Sequence, residues 1–237
     1  IWIMKNKIKL FPLLLLIVSS FSLKAQSQFG ANLAYGIPYY KIKVNTDQTE
    51  IKYQPLKAYE LELNYKNRWP GLVNFGSSVS YQYKSAHFDV NQKYLDGNTQ
   101  RYSDYELNYL YLKVFPEFVI GDKIKYYLQI GPSFSILFKS NIDGYTDVFQ
   151  NNNDSALSRT IESGSASEDF KLLTFGFFTG MGVDIPISKQ WKVSGNIQYQ
   201  FNTSEWYAKE DNSYSERSLF FKLGVVYTLP QLSDEID

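Results

Sequence analysis

The residue types in this chain that could carry out chemistry are few, and their spacing narrows what that chemistry could be. The single histidine, His87, lies in Lys84-Ser85-Ala86-His87-Phe88-Asp89. In an extended chain, alternate residues share a face, so Ser85, His87 and Asp89 would line up as a hydroxyl nucleophile, a general base and an orienting carboxylate. One histidine and no cysteine exclude a multi-histidine or thiolate metal site. A second group is the stretch 141 to 169, where Asp143, Asp147, Asp154, Glu162, Glu168 and Asp169 face only Arg159. Such a stretch could bind divalent cations that bridge to lipopolysaccharide phosphates, or a basic partner, although no regular calcium-ligand spacing is present. Within it, Asp154-Ser155-Ala156 has the form of an O-glycosylation acceptor. A third group is a scatter of opposite charges, Glu60, Glu62, Lys84, Asp184 and Lys192, each on the polar side of an otherwise alternating segment.

The elements that must position these groups are strands. Every second residue from Trp191 is apolar (Trp191, Val193, Ile197, Tyr199, Phe201, with Gly195 between), and the residues between are Lys192, Ser194, Asn196, Gln198, Gln200 and Asn202. The same period of two runs through segments beginning near Phe29, Tyr59, Val73, Tyr126, Leu173 and Leu219. An eighth segment, Tyr105 to Ile120, is apolar on both parities in its first half, as a bulge or a wholly buried end would make it. Three short turns lie at 67–71, 121–123 and 186–190. Four long polar connections, predicted as loops, lie at 43–54, 89–103, 141–169 and 204–216. Short turns on one side and long connections on the other predict eight antiparallel strands closed into an up-and-down barrel.

Composition favours one orientation of that barrel. A soluble lipocalin-type barrel, apolar inside, has the same alternation. Here the polar face is mostly Gly, Ser, Asn, Gln and Thr rather than Lys and Glu, which fits a tight lumen better than a water-facing surface. With 20 Tyr and 17 Phe in 237 residues, and aromatics such as Trp69, Tyr126, Trp191, Trp206 and Tyr227 near strand ends, the apolar side has the composition of a lipid-facing wall with interfacial girdles. The mixed charges are then expected inside, as a paired plug that conducts little; an ion path is the alternative.

The ends fit export. Residues 1–25 read as a signal peptide: a basic start from Met4 to Lys9, a 13-residue apolar run from Leu10 to Ser22 and a small residue at Ala25, with Ile1 to Ile3 an upstream extension. The run is shorter than the roughly 20 residues of a spanning helix. Residues 26–230 are then the barrel and 231–237 a periplasmic tail. Cleavage removes four lysines and no acid, leaving 20 bases against 24 acids, which argues against a nucleic-acid partner. No cofactor is expected. The expected surroundings are outer-membrane lipid and lipopolysaccharide, with an envelope or extracellular protein as a further partner and a monomeric state.

Tyr109-Leu110-Tyr111-Leu112-Lys113-Val114-Phe115, Gly131-Pro132-Ser133-Phe134 and Gly180-Met181-Gly182-Val183-Asp184 resemble strands of the PorT-like outer-membrane β-barrel family, with Tyr111 and Lys113 where that family's pattern has Glu and Pro. The resemblance implies an eight-stranded barrel in the outer membrane of a Gram-negative bacterium, with no catalytic residue to carry over; some members serve protein secretion. The leading expectation is a non-enzymatic envelope protein, structural or adhesive, or a narrow pore. The enzymatic alternative rests on His87, since lipid-modifying and proteolytic outer-membrane barrels use a histidine, although lipid A deacylases have the order His-x-Ser and this chain has Ser-x-His. A closed barrel of this kind should migrate faster unheated than boiled on a detergent gel; identical migration would count against a barrel.

Overall fold

A computed structural model of the chain describes residues 26–43, 49–68, 72–150, 156–166, 170–203 and 213–230. The proposed signal peptide, the tail after Pro230, Trp69 and Trp206 lie outside the described residues. Nine strands follow in order: β1 (Gln26–Lys43), β2 (Thr49–Arg68), β3 (Val73–Tyr94), β4 (Gly97–Ile120), β5 (Lys125–Gln150), β6 (Ser158–Ser165), β7 (Leu173–Pro186), β8 (Trp191–Asn202) and β9 (Ser213–Thr228). Every neighbouring pair is antiparallel, and β1 pairs with both β2 and β9 while β4 pairs with β5. Eight strands therefore close into a ring, and β6 hangs on the outer part of β5 alone. Closure matters physically because a sheet edge in hydrocarbon would leave backbone N–H and C=O groups without water or partner.

Side-chain alternation sets the wall. Phe29, Leu33, Leu61, Leu63, Phe134, Met181, Ile197, Phe221 and Leu223 are exposed, whereas Ser78, Ser80, Gln82, Ser133, Gln198 and Gln200 are buried. The apolar face points away from the barrel axis and the amide-rich face fills the lumen, the inverse of a soluble barrel. The strand β8, 12 residues long, matches the roughly 9–11 residues that a tilted strand needs to cross the hydrocarbon. Aromatic pairs line its two rims, Trp191 with Tyr227 (4.9 Å) and Phe29 with Tyr65 (5.1 Å) near the short turns, Tyr35 with Tyr59 (5.7 Å) near the other side.

Two turns on the chain-terminus side, between β4 and β5 and between β7 and β8, are described, and both are short. Gly121 takes φ +99°, a conformation that an L side chain resists. In the β7–β8 turn Ser188 Oγ accepts from the backbone N–H of Trp191 at 3.1 Å. On the opposite side, much of what the sequence predicts as loop is strand. Residues 89–103 are the ends of β3 and β4, joined by the two-residue turn Leu95-Asp96. Residues 141–150 are the end of β5 and pair with β6, 158–165, and 49–54 belong to β2. Sequence reading missed this because these ends alternate polar with polar once both faces lie outside lipid, so the period of two disappears from hydropathy.

Two bulges adjust the strands where they leave the membrane. The β2–β3 register shifts between Pro55 and Lys57, and the β4–β5 register shifts between Asn108 and Tyr109, which leaves Phe138 without a partner across the ladder. Phe138 and Lys139 are consecutive exposed residues, and beyond them the inward parity of β5 passes from odd to even numbers. The double parity of Tyr105 to Tyr109 has a different cause: Tyr105, Leu107, Tyr109 and Tyr111 all point inward and are buried at the outer end of the lumen.

Leu223 sits halfway along the lipid-facing run of β9. Leu223→Arg is expected to destabilise the folded barrel by about 2–4 kcal/mol in denaturant titrations in lipid vesicles, and Leu223→Val by much less.

Candidate functional site

The lumen is built in layers, each positioned by inward residues of neighbouring strands. Nearest the short turns, Lys66 on β2 pairs with Glu117 on β4 at 2.5 Å, and the carboxylate also accepts from Gln129 (2.6 Å) and Asn74 (3.2 Å). The Lys66 ammonium lies 4.5 Å from the centre of the Tyr127 ring. The next layer is a four-membered network. Lys113 reaches Glu60 at 2.5 Å and Glu62 at 3.0 Å, and Lys222 reaches each of the same two carboxylates at 2.8 Å. Asn32 (2.9 Å) and Ser78 (3.1 Å) donate to Glu62. Above it Lys84 pairs with Glu216 and donates to Tyr111 Oη at 3.0 Å, while Asn202 donates to Glu216 at 3.2 Å. Crossed lysines and carboxylates meet the physical requirement of the place, since a buried charge without a partner costs several kcal/mol.

Of the five lumen charges singled out in the sequence, the structure brings Glu60 and Glu62 together, places Lys84 in the layer above, and sets Asp184 and Lys192 near the chain-terminus end. Asp184 Oδ1 and Lys192 Nζ have no hydrogen-bond partner among the described residues. Sequence reading missed Lys66, Lys113, Glu117, Glu216 and Lys222. The parity of β2 and β9 could have revealed Lys66 and Lys222. Lys113 and Glu117 were hidden by the double parity of their strand, and Glu216 by its assignment to a loop.

An aromatic plug closes the outer end. Tyr40, Phe88, Tyr105, Leu107, Tyr109 and Tyr111 form one buried cluster, completed by Ala166 and Phe170 from the segment between β6 and β7. Tyr53 packs edge-on against Tyr40 (5.0 Å) and tilted against Phe88 (5.4 Å), and its hydroxyl donates to the Pro38 carbonyl at 2.5 Å. That bond spans the seam where β1 and β2 stop pairing, beyond Gly36 and Ala58. Between the Lys66–Glu117 layer and the four-membered network, the cavity bounded in part by Asn32, Glu62, Lys66, Tyr127, Gln198 and Lys222 has a volume of about 10 Å³, room for about one water.

Outside the membrane, β2 to β6 continue as a five-stranded sheet whose outward side chains fall into three cross-strand rungs. From the registers these are Glu50, Asn91, Gln100, Asp147 and Arg159; then Lys52, Asp89, Tyr102, Tyr145 and Ile161; then Gln54, His87, Asp104, Asp143 and Ser163. Arg159 forks onto both oxygens of Asp147 at 2.7 Å, and this bonding holds the Asp147 carboxyl below its usual range. The pairing is therefore present at neutral pH and is lost as pH falls through that lowered value. Arg159 also covers the Tyr145 ring (4.3 Å), which packs on Tyr102 at 4.9 Å. Of the acidic residues singled out, Asp143 and Asp147 lie on β5, and Glu162 on β6 turns to the opposite face, where it binds Arg101 at 2.6 Å. Asp154, Glu168, Asp169 and Ser155 lie outside the described residues.

His87 Nδ1 lies 2.7 Å from Asp104 across the β3–β4 ladder, while Ser85 Oγ donates to the Lys57 carbonyl at 3.4 Å. Asp89 occupies the next rung, opposite Lys52. Ser85, His87 and Asp89 alternate along β3, but the hydrogen bonds of Ser85 and His87 run across strands, to other partners.

An eight-stranded ring with an apolar outside, aromatic rims and a charge-compensated interior is a transmembrane barrel of the outer-membrane kind. The chain belongs to the outer membrane protein beta-barrel domain family, whose model matches residues 11–229, and it resides in the outer membrane of a Gram-negative bacterium. No curated protein sequence matches it. Solved structures similar to it include OprG of Pseudomonas aeruginosa (12% identity, 87% of this chain and 97% of that one, TM-score 0.49) and Neisserial surface protein A (11%, 86% and 97%, TM-score 0.46). Another is Ail of Yersinia pestis in complex with the heparin analogue sucrose octasulfate (12%, 87% and 100%, TM-score 0.41).

Lys113→Met leaves Glu60 and Glu62 with Lys222 alone, and is expected to cost about 3–5 kcal/mol of folding stability. The isosteric quadruple replacement Glu60→Gln, Glu62→Gln, Lys113→Met, Lys222→Met removes all four charges and should cost less than the single change, as read by denaturant titration in vesicles.

Proposed function

We propose that the protein is a non-enzymatic, non-conducting outer-membrane barrel that works through the sheet it holds outside the membrane, as an adhesive or structural element of the cell envelope. The observation that carries this reading is the lumen, filled by paired lysines and carboxylates below and by an aromatic plug above, with space for about one water among the charged layers. An ion crossing the barrel would have to displace both layers. The protein's length is invested on the other side: β5 has 26 residues, more than twice the roughly 9–11 needed to span, and its outer part is paired on both flanks.

The likeness to PorT-like barrels supports an envelope role of the same general kind. This chain differs where its lumen is built, because Tyr111 and Lys113, which stand in place of that family's Glu and Pro, are the residues that hold Lys84 and the Glu60–Glu62 pair. Outer-membrane lipid and lipopolysaccharide are its proposed surroundings, and its proposed state is monomeric.

In planar bilayers the purified protein is expected to give no steady single-channel steps; reproducible ion-scale steps would establish the pore reading instead. Vesicles carrying the protein should be retained on surfaces coated with extracellular polysaccharide or protein, and replacing residues 89–102 by a two-residue turn should abolish that retention. A His87→Ala variant is expected to leave the lipid A profile of whole membranes unchanged.

A further inference from the structure

The outward face of the extracellular sheet carries a hollow of about 160 Å³ lined by Glu50, Lys52, Asp89, Asn91, Gln100 and Tyr102. It arises from the register. Glu50, Asn91 and Gln100 form one rung across three strands, and Lys52, Asp89 and Tyr102 form the next, so six polar side chains converge over two adjacent rungs. A flat strand surface exposed to water normally carries such groups splayed and hydrated. Here Asn91 Oδ1 is buried without a hydrogen-bond partner among the described residues, although an amide oxygen withdrawn from water ordinarily has one. Tyr102 Oη donates to Gln100 Oε1 at 3.2 Å, which fixes the Gln100 amide oxygen at the edge of the hollow.

The chemistry of the lining selects the ligand. Two amides, two carboxylates, an ammonium and a phenol supply planar acceptors and donors side by side, the arrangement that meets adjacent hydroxyls, each of which donates one hydrogen bond and accepts others. There is little apolar lining for a hydrophobic ligand. The surroundings oppose an anionic one: over the three rungs, Glu50, Asp89, Asp104, Asp143 and Asp147 stand against Lys52 and Arg159 as fixed cations. A hard cation is also disfavoured, because Lys52 sits 3.5 Å from Glu50 within the hollow, and no group of three or more acidic or histidine side chains among the described residues could hold a metal. The size is below the several hundred Å³ of a drug-sized pocket and suits one or two units of a longer chain lying across the sheet.

We propose that this hollow is a saccharide subsite, taking neutral hexose or N-acetylhexosamine units of a polysaccharide through Asn91, Gln100, Asp89 and Glu50. The inference rests on the reading of the extracellular sheet as the working part of the protein and gives that sheet a ligand class. The sugars could belong to the cell's own lipopolysaccharide or to a foreign surface; the shared chemistry is a neutral polyol.

The test is saturation-transfer NMR on the full barrel in lipid nanodiscs, titrated with glucose, galactose, mannose, their N-acetyl derivatives, and dextran against dextran sulfate. Transfer is expected to at least one neutral sugar and not to the sulfated polymer. Asn91→Ala with Gln100→Ala should weaken it about tenfold, whereas Gln54→Ala, one rung away, should change it less than about twofold. Unchanged heat-modifiable migration of each variant shows that the barrel still folds. Lipopolysaccharide with and without its outer polysaccharide, added as a competitor, tells the cell's own sugar from a foreign one. Absence of transfer to every neutral sugar, stronger transfer to dextran sulfate, or an undiminished signal in the double variant overturns the proposal. If vesicle retention still depends on residues 89–102 while no sugar binds, or is confined to protein-coated surfaces, the adhesive reading survives and the saccharide reading fails.

Discussion

Everything in this molecule depends on lysines and carboxylates neutralising one another in a space from which bulk water is excluded. The ion-paired charges of the described lumen are Lys66, Lys84, Lys113 and Lys222 on one side and Glu60, Glu62, Glu117 and Glu216 on the other. With lipid outside, the apolar side chains face outward, so the interior must be polar, and an eight-stranded lumen is too narrow to keep polar groups hydrated. The only stable solution is mutual satisfaction. Crossed bridges, in which each of Lys113 and Lys222 serves both Glu60 and Glu62, do this for four charges at once and tie β2, β4 and β9 together across the axis.

The same constraint explains the change of character along the axis. Near the short turns the lumen is charged and amide-rich; at the outer end it is aromatic, with Tyr40, Phe88, Tyr105 and Tyr109 packed together. That change coincides with the level at which the β1–β2 pairing ends and β2 and β5 bulge. Where the wall loosens, water could enter, and a charged layer there would lose the low dielectric that makes its pairing strong. Apolar rings fill the widening mouth without needing partners. A closed floor and a sealed mouth in turn leave the extracellular sheet as the part able to meet other molecules. Four of its five strands, β2 to β5, are continuous with those anchored in lipid.

How much of this can be read from residues alone varies by element. Trp191 to Asn202 and Leu173 to Ile185 are legible as spanning strands, because lipid on one face and lumen on the other impose a strict period of two. The ring of eight and the inverted orientation follow from that alternation together with the length pattern of the connections. Tyr105 to Tyr111 resists reading, because the apolar side of β4 passes from its inside at the mouth, Tyr105, Leu107 and Tyr109, to its outside in the membrane, Leu110 and Leu112. Residues 89–103 and 141–165 resist it for another reason, since both faces there are polar and strand looks like loop. Lys113, flanked by Leu112 and Val114, stands out as a charge in an apolar strand, but nothing local shows that its partners are more than fifty positions back in the chain.

By itself, the sequence determined what each strand face could tolerate: lipid against Leu33, Ile197 and Leu223, a crowded polar interior against Ser80, Gln198 and Gly131, and hence a closed barrel in a membrane. Only the tertiary structure decided which lysine meets which carboxylate, that His87 turns to Asp104 rather than Ser85, and that Glu50, Asn91 and Gln100 form one rung. Hydrophobic periodicity is a local property that survives in the order of residues. Register across strands is a long-range one, settled by turns, bulges and closure of the ring, and a shift of a single residue would send every one of those side chains to the other face.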